Sequence, residues 1–368
     1  MRKDWTIKGF EDCLLKVKKQ KAVKSKNYLD NGLCPIVSQE SDLISGYTNE
    51  EKILYKHEKP VVIFGDHTKN IKYVDFDFVV GADGVHILYV NDDILPKFFY
   101  YELCSIQLRN LGYARHYKLL KEKEIGYPNL SEQERIVSLL DTQFAKIDAL
   151  KANAASQLQA AKDLFQSALK QLLTPQEGWG EKELKDICKK PQNIKWSYNS
   201  GVRKYIDLTS VSRESLSIVD STEIDYANAP SRAKQIIKEG DIIFATTRPT
   251  LRRVCRVSEE FDDQICSTGF CVLRPSSTIN FNFLFYSLNL DKFYSYIEPL
   301  QTGASYPAVT DSMVKSYSIS FPSLPEQERI AARLDTISEK VKALQANYDQ
   351  TINLCNDLKQ SLLKSIFE

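Results

Sequence analysis

The chain has little that announces a chemistry. Its 368 residues include four histidines, two methionines and three tryptophans, and the histidines all fall between His57 and His116. Eight cysteines stand at 13, 34, 104, 188, 255, 266, 271 and 355, with no Cys-x-x-Cys pair and no histidine cluster beside them. That spacing predicts free thiols in a reducing compartment, no disulfide and no metal centre. No apolar run reaches membrane-spanning length, and the opening MRKDWTIKGF lacks the hydrophobic centre of a signal peptide. The expected location is cytoplasmic, with no membrane partner. Charge of one sign is missing too: 49 Lys and Arg stand against 48 Asp and Glu. A net charge of +1 selects no partner. Also absent are an Asn-Pro-Pro-Tyr or Asp-Pro-Pro-Tyr tetrapeptide, a glycine-rich cofactor loop, a Walker-A lysine loop and a nuclease carboxylate constellation. The chain is expected to be non-catalytic, with no cofactor of its own.

What is present is a long helical segment written twice. NLSEQERIVSLLDTQFAKIDALKANAASQL at 129–158 returns 194 residues later as SLPEQERIAARLDTISEKVKALQANYDQTI at 323–352. Glu132, Gln133, Glu134, Arg135 and Ile136 match Glu326, Gln327, Glu328, Arg329 and Ile330, and the match continues through Leu140/Leu334, Asp141/Asp335, Thr142/Thr336 and Leu164/Leu358. Two copies at this period indicate a duplicated half-molecule rather than a solenoid. Ser131 with Glu134 has the form of a capping box, and Pro325 sits where a first helical turn tolerates proline. Apolar residues at steps of three and four, including Ile136, Leu140, Ile147, Leu150 and Leu158 in one copy and Ile330, Leu334, Val341 and Leu344 in the other, predict one buried stripe per helix. Neither segment contains Gly or Pro between its first turn and its end near Leu173 or Phe367. Each is therefore predicted to be a helix of roughly 60 Å. Such a helix needs a partner, and its own repeat is the nearest one.

Between the helices lie two segments of similar size and unlike sequence, 1–128 and 175–322. With 43% hydrophobic and 26% charged residues, the chain has material for two such domains plus helices at 129–174 and 323–368. The runs VVIFGD (61–66), FDFVVGADGVHILYV (76–90), RKYIDLTSV (203–211), GDIIFATTRPTLRRVCRV (240–257) and STGFCVLRP (267–275) predict short strands joined by polar turns in an α+β arrangement. Shorter helices are expected around 95–110 and 281–297. A shared skeleton survives the divergence: Trp5 and Asp12 correspond to Trp179 and Asp186, Gly112 to Gly303, and Tyr127-Pro128 to Phe321-Pro322.

Two divergent domains, each followed by a long helix opening in EQERI, closely resemble the specificity subunit of Type I restriction-modification systems. YPNLSEQERI, FPSLPEQERI, GDIIFATTRPTLRR and PVVIFGDHTKNIKYVDFDFVVGADG are the stretches that carry the resemblance, which extends over essentially the whole chain. The resemblance implies two α/β-type target recognition domains separated by two long helices that form an antiparallel coiled coil, with pseudo-two-fold symmetry. It implies that each domain reads one half of a split, asymmetric double-stranded DNA target. It further implies two modification subunits that use S-adenosylmethionine to methylate adenine at N6, and restriction subunits that use ATP and Mg. Those partners would dock on the outward helix faces and adjoining domain surfaces. Two other readings stay open: the DNA-recognition subunit of another defence or methylation complex, and a coiled-coil scaffold that binds proteins rather than DNA.

Candidate DNA contacts lie in polar loops that follow apolar strands. In the first domain these are Lys69 and Asn70 in the polar loop 66–70, and Arg115 and His116 after Gly112. In the second they are Thr246, Thr247, Arg248, Thr250, Arg252 and Arg253, with Ser305 and Tyr306 after Gly303. Arg grips guanine bidentately, Asn grips adenine, and Thr or Lys holds phosphate. The lysine run at 16, 18, 19, 21, 24 and 26, and the arginines between 248 and 256, are each explained more readily by a solvated face than by a phosphate track.

Overall fold

The computed structural model describes residues 4–82, 84–112 and 114–368. Met1 to Lys3 and Asp83, which the opening and the GADG run contain, and Tyr113 lie outside the described residues. The chain forms two compact units, one comprising residues up to Ala155 together with Tyr348–Glu368, the other Ser156–Asn347.

Unit 1 begins with β1 (Thr6–Gly9), β2 (Leu14–Leu15), β3 (Cys34–Val37), β4 (Gly46–Thr48) and β5 (Val61–Gly65). It continues through β6 (Ile71–Val74), β7 (Val79–Val80), β8 (Val85–Val90), α1 (Pro96–Ser105), α2 (Tyr117–Lys121) and β9 (Glu124–Tyr127) before entering α3 (Leu130–Leu172). Its sheets are ordered β2-β8-β5-β6 and β4-β3-β7, with a separate β1-β9 pair. β5 is the central strand, and all five of its residues are buried, as a continuous apolar run predicts. Its side chains alternate between two cores. Val62 and Phe64 pack with Phe98 and Phe99 of α1, whereas Val61 and Ile63 pack with Phe78 and with Val37 and Val80 of the smaller sheet.

Unit 2 repeats the plan. It runs through β10 (Gly180–Glu183), α4 (Leu184–Ile187), β11 (Cys188–Lys189), β12 (Arg203–Ile206), β13 (Thr222–Ile224), β14 (Ala233–Ile236) and β15 (Ile242–Ala245). β16 (Val254–Arg256), β17 (Ile265–Ser267), β18 (Phe270–Pro275), α5 (Phe281–Ser287), α6 (Asp291–Ile297), α7 (Asp311–Lys315), β19 (Ser318–Phe321) and α8 (Leu324–Phe367) follow. The order β11-β18-β15-β16 matches that of unit 1, and so does the β10-β19 pair. The smaller sheet gains one strand, β13-β12-β17-β14. In both units it contains one parallel pairing, β3 with β7 and β12 with β17. β15 also faces two cores, Ile242 and Phe244 on the helical side and Ile243 and Ala245 on the other. The single helix expected over 281–297 is two helices, α5 and α6, broken between Ser287 and Asp291.

The repeated motif is a pair of identical joints. Gln133 is fully buried at the start of α3. Its Nε2 donates to the Asp93 and Pro128 carbonyls, and its Oε1 accepts from the Leu95 N–H at 2.8 Å. Gln327 does the same in α8: Nε2 donates to Pro322 and Thr278 carbonyls, and Oε1 accepts from Asn280 N–H at 2.8 Å. One turn later Ile136 and Leu140, like Ile330 and Leu334, enter the core. Asp141 then accepts from the Tyr101 hydroxyl and Lys97, and Asp335 from the Tyr286 hydroxyl, Arg256 and Asn282. Glu132–Arg135 and Glu326–Arg329 form matching exposed bidentate pairs. The motif therefore bolts the long helix to the preceding short one in each unit.

Two expectations about these helices are corrected. α3 begins at Leu130 with Asn129 as its cap, whose Oδ1 accepts from Glu132 N–H at 3.0 Å. The Asx side chain at the N-cap, two residues before Ser131, takes the N–H of the third helical residue, which displaces the capping box expected at Ser131. Leu150 and Leu344, placed on the buried stripe by spacing, are 56% and 36% exposed. A helix paired along a narrow seam leaves the flank of its apolar stripe in water. The pairing itself is antiparallel within each unit. In unit 1, Asp148 and Lys151 of α3 meet Lys359 and Asn356 of α8, so one helix ascends as the other descends. In unit 2, Leu169 and Leu173 share a core with Ile330 and Leu334.

Candidate nucleic-acid interface

In each unit the turn leaving the central strand is tied to the loop that precedes α2 or α7 by the same backbone bond. His116 N–H donates to the Asp66 carbonyl at 2.9 Å, and Val309 N–H donates to the Thr246 carbonyl at 3.0 Å. On the other side, Asp66 N–H reaches Gly84 and Thr246 N–H reaches Gly269. The frame is thus common, and what it holds differs.

In unit 1 the β5–β6 turn is tight. Gly65 N–H donates to Asn70 carbonyl and Lys69 N–H to Gly65 carbonyl, both at 2.8 Å, with Lys69 in the left-handed region at φ 62°. A Cβ on Gly65 would meet Thr68 Oγ1 at 2.4 Å and Gln39 Cβ at 2.8 Å, so only glycine allows the turn to close. The Asn70 amide donates to the Gln39 carbonyl at 2.9 Å, which uses one of its donors to brace the turn. Arg115 is the open member, with its side chain 81% exposed and its Nε 3.9 Å from Asp66 Oδ2.

His116 is placed otherwise than its candidate role requires, for it is fully buried. Its Nε2 accepts from Leu111 N–H at 3.0 Å, so Nδ1 carries the proton and donates to the Asp66 carbonyl at 3.0 Å. It positions the Arg115 loop and has no path to a base. Asp66 anchors the same joint: Oδ1 accepts from Tyr117 N–H at 2.8 Å, and Oδ2 lies 3.4 Å from His86 Nε2. Burial pushes the Asp66 carboxyl up, but the Tyr117 N–H and His86 outweigh it and hold the pKa below the ordinary carboxylate value. The His86 ring stacks on Tyr117 at 3.8 Å. Asp66 as an anchor, His86 and Gln39 were not legible in the sequence, because each acts across strands from its partners.

In unit 2 the corresponding turn is longer and cationic. Thr246 is buried, and its hydroxyl donates to the Gly269 carbonyl at 2.9 Å, so it serves the frame and not a ligand. Thr247, Arg248, Ser305 and Tyr306 are brought together. Arg248 N–H donates to the Pro307 carbonyl at 2.7 Å, its guanidinium lies 4.8 Å from the exposed Tyr306 ring and its Nη2 reaches the Ser305 carbonyl at 3.3 Å. The Tyr306 loop closes on itself through Thr302 and Ala308, with Gly303 at φ 95°. Arg248 and Arg252 bracket the turn containing exposed Thr250, both left-handed at φ 50° and 56°. Two strained arginines in one short turn cost about 1 kcal/mol or more each, a kind of strain that concentrates at ligand-contacting loops. Arg252 points away from Arg248's aromatic partner: it lies over Tyr294 at 4.3 Å and pairs with Asp291 at 2.6 Å. Arg253 is half-buried and lends its carbonyl to Ala245 N–H.

Each unit therefore offers an exposed arginine on a braced loop, Arg115 or Arg248, beside a turn of small polar residues. Such donors suit the edges of bases and phosphate oxygens. Comparison with known proteins agrees. Residues 2–160 and 176–354 each match the family model for the Type I restriction modification DNA specificity domain. The chain is 25% identical over 355 residues to the EcoR124I/EcoR124II specificity subunit of Escherichia coli, covering 90% of this chain and 86% of that one. It is 30% identical over 141 residues to the HindI specificity subunit of Haemophilus influenzae, covering 38% of this chain and 30% of the relative. Among solved structures, a chain described under complex assembly and conformational transition of the type I R-M system superposes with TM-score 0.72 at 18% identity, covering 100% of this chain and 98% of its own. The HsdS subunit from Thermoanaerobacter tengcongensis gives 0.51 at 18% identity, covering 100% and 97%.

Proposed function

The chain belongs to the Type I restriction-modification specificity family, as a DNA-recognition subunit with two specificity domains, and from that premise we propose that each unit reads one half of an asymmetric, bipartite target. One observation carries the reading: a single backbone frame, with the same bond at His116 and Val309, holds loops of different residues in the two units. Identical frames put the readers in equivalent positions, and unlike loops give unlike half-sites. In unit 1 Arg115 is the base-edge reader, with Lys69 and Asn70 beside it. In unit 2 Arg248 reads, kept straight by Tyr306, while Thr247, Thr250 and Ser305 hold phosphate or sugar. His116 and Thr246 position these loops from beneath. The chemistry belongs to partners: modification subunits with S-adenosylmethionine methylate adenine at N6, and restriction subunits use ATP and Mg to translocate and cleave. The setting is the cytoplasm.

The test is binding by the complete complex with its modification subunits at physiological salt, because non-specific phosphate contacts weaken there and sequence preference remains. A preference for the target over random duplex is expected. R248Q is expected to lose about 1–3 kcal/mol and to relax selectivity at one position of one half-site. A complex with no preference over random duplex would sink the proposal.

A further inference from the structure

The duplication permits a position-by-position comparison inside one molecule, since a residue of α3 matches the one 194 later in α8. In unit 1 the space between the two helices beside α1 is filled and neutral. The Lys359 ammonium lies 5.0 Å from the Phe144 ring centroid and donates to Asp148 Oδ1 at 2.6 Å. In unit 2 the matching positions hold Ser338 for Phe144, Lys342 for Asp148 and Phe165 for Lys359. The ring that filled the space has become a hydroxymethyl group, and the acid has become a cation. A cavity of about 340 Å³ opens there. That volume lies at the small end of ligand sites.

Its walls are apolar, built from Phe165 and Leu169 of α3, Val341 of α8, and Phe285 and Tyr286 of α5. Its rim is cationic, with Lys162, Arg213, Arg252, Arg256 and Lys342. Three of these are already matched: Arg213 by Glu214 at 2.7 Å, Arg252 by Asp291 at 2.6 Å and Arg256 by Asp335 at 2.7 Å. Lys162 and Lys342 are exposed and have no ion-pair partner among the described residues. The site thus has two uncompensated ammonium groups above aromatic walls, and Arg256 is held rigid 4.6 Å from the Phe285 ring.

We propose that this cavity binds a small organic anion of the nucleoside monophosphate class, with the base against Phe165 and Phe285 and the phosphate at Lys162 and Lys342. Rings of this kind offer stacking faces to a base, and paired lysines offer point charges to a phosphate. A protein contact repeated on both copies of the frame would meet a neutral, filled surface in one unit and a cationic cavity in the other. A ligand that serves unit 2 alone meets no such conflict.

The experiment is calorimetric titration of the full chain with adenosine monophosphate and, separately, inorganic phosphate. The variant S338F/K342D installs the residues that unit 1 already packs at these positions, and K162Q/K342Q removes charge while leaving the walls. Saturable binding of the nucleotide is expected, tighter than that of phosphate, and reduced about tenfold or more in both variants. No binding of the nucleotide at millimolar concentration, equal affinity for phosphate, or undiminished binding by K162Q/K342Q would overturn the assignment. No DNA enters the measurement, so its outcome is independent of half-site reading.

Discussion

Gln133 and Gln327 show how much one buried amide can organise. Each joins two carbonyls and one N–H at the joint between the long helix and the chain before it. Leaving such groups unmade is costly, so Q133A is expected to destabilise unit 1 by about 3 kcal/mol in urea unfolding of the full chain. E132Q, which weakens the exposed pair with Arg135, is expected to shift the transition by less than about 1 kcal/mol. Asp66 gives a pH signature. Its carboxyl is held below the ordinary value of 3.8, so the folded state favours the ionised form. That stability is present in full above the ordinary carboxylate range and is lost as pH falls below 3.8 through the folded value. Thermal unfolding followed into acid is expected to fall less steeply in D66N than in the parent chain; parallel acid limbs would refute the anchor role. The repeat made Gln133 visible as a matched residue but not as a buried one. His116 was visible as a polar loop residue, and its burial was not, because the Asp66 and Leu111 groups that hold it come from elsewhere in the fold.

At the scale of elements, the long helices were the most legible feature. Their periodicity, lack of interior Gly and Pro, and recurring EQERI start are legible along the chain, and α3 and α8 run 43 and 44 residues as that pattern requires. The strands were legible as apolar runs, but not their pairing order. β5 and β15 become central only because β8 and β18 fold back beside them, a non-local choice. The break between α5 and α6 was hidden as well: the apolar spacing continues across Leu288–Leu290, while the backbone turns. For the helices as a spacer, inserting one turn, about 5.4 Å, between Ala152 and Ala161 is expected to change the number of unread base pairs and neither half-site. Methylation mapping reads both quantities at once, and a changed half-site sequence would remove the spacer role.

At the scale of the whole molecule, what repeats is frame and what differs is loop content. The same strand order, the same glutamine joints and the same bond to Asp66 or Thr246 recur, while a five-residue turn with Lys69 and Asn70 in one unit becomes a longer arginine-bearing turn in the other. Which bases these loops prefer was not written in local sequence, because reading depends on how two separate loops converge. The central claim is that each unit reads its half-site independently. The most direct measurement replaces residues 175–322 with the matching domain of another family member, assembles the chain with its modification subunits in cells and maps methylated adenines across the genome. One half-site is expected to change while the other stays as before. A change in both half-sites, or in neither, would contradict independent reading.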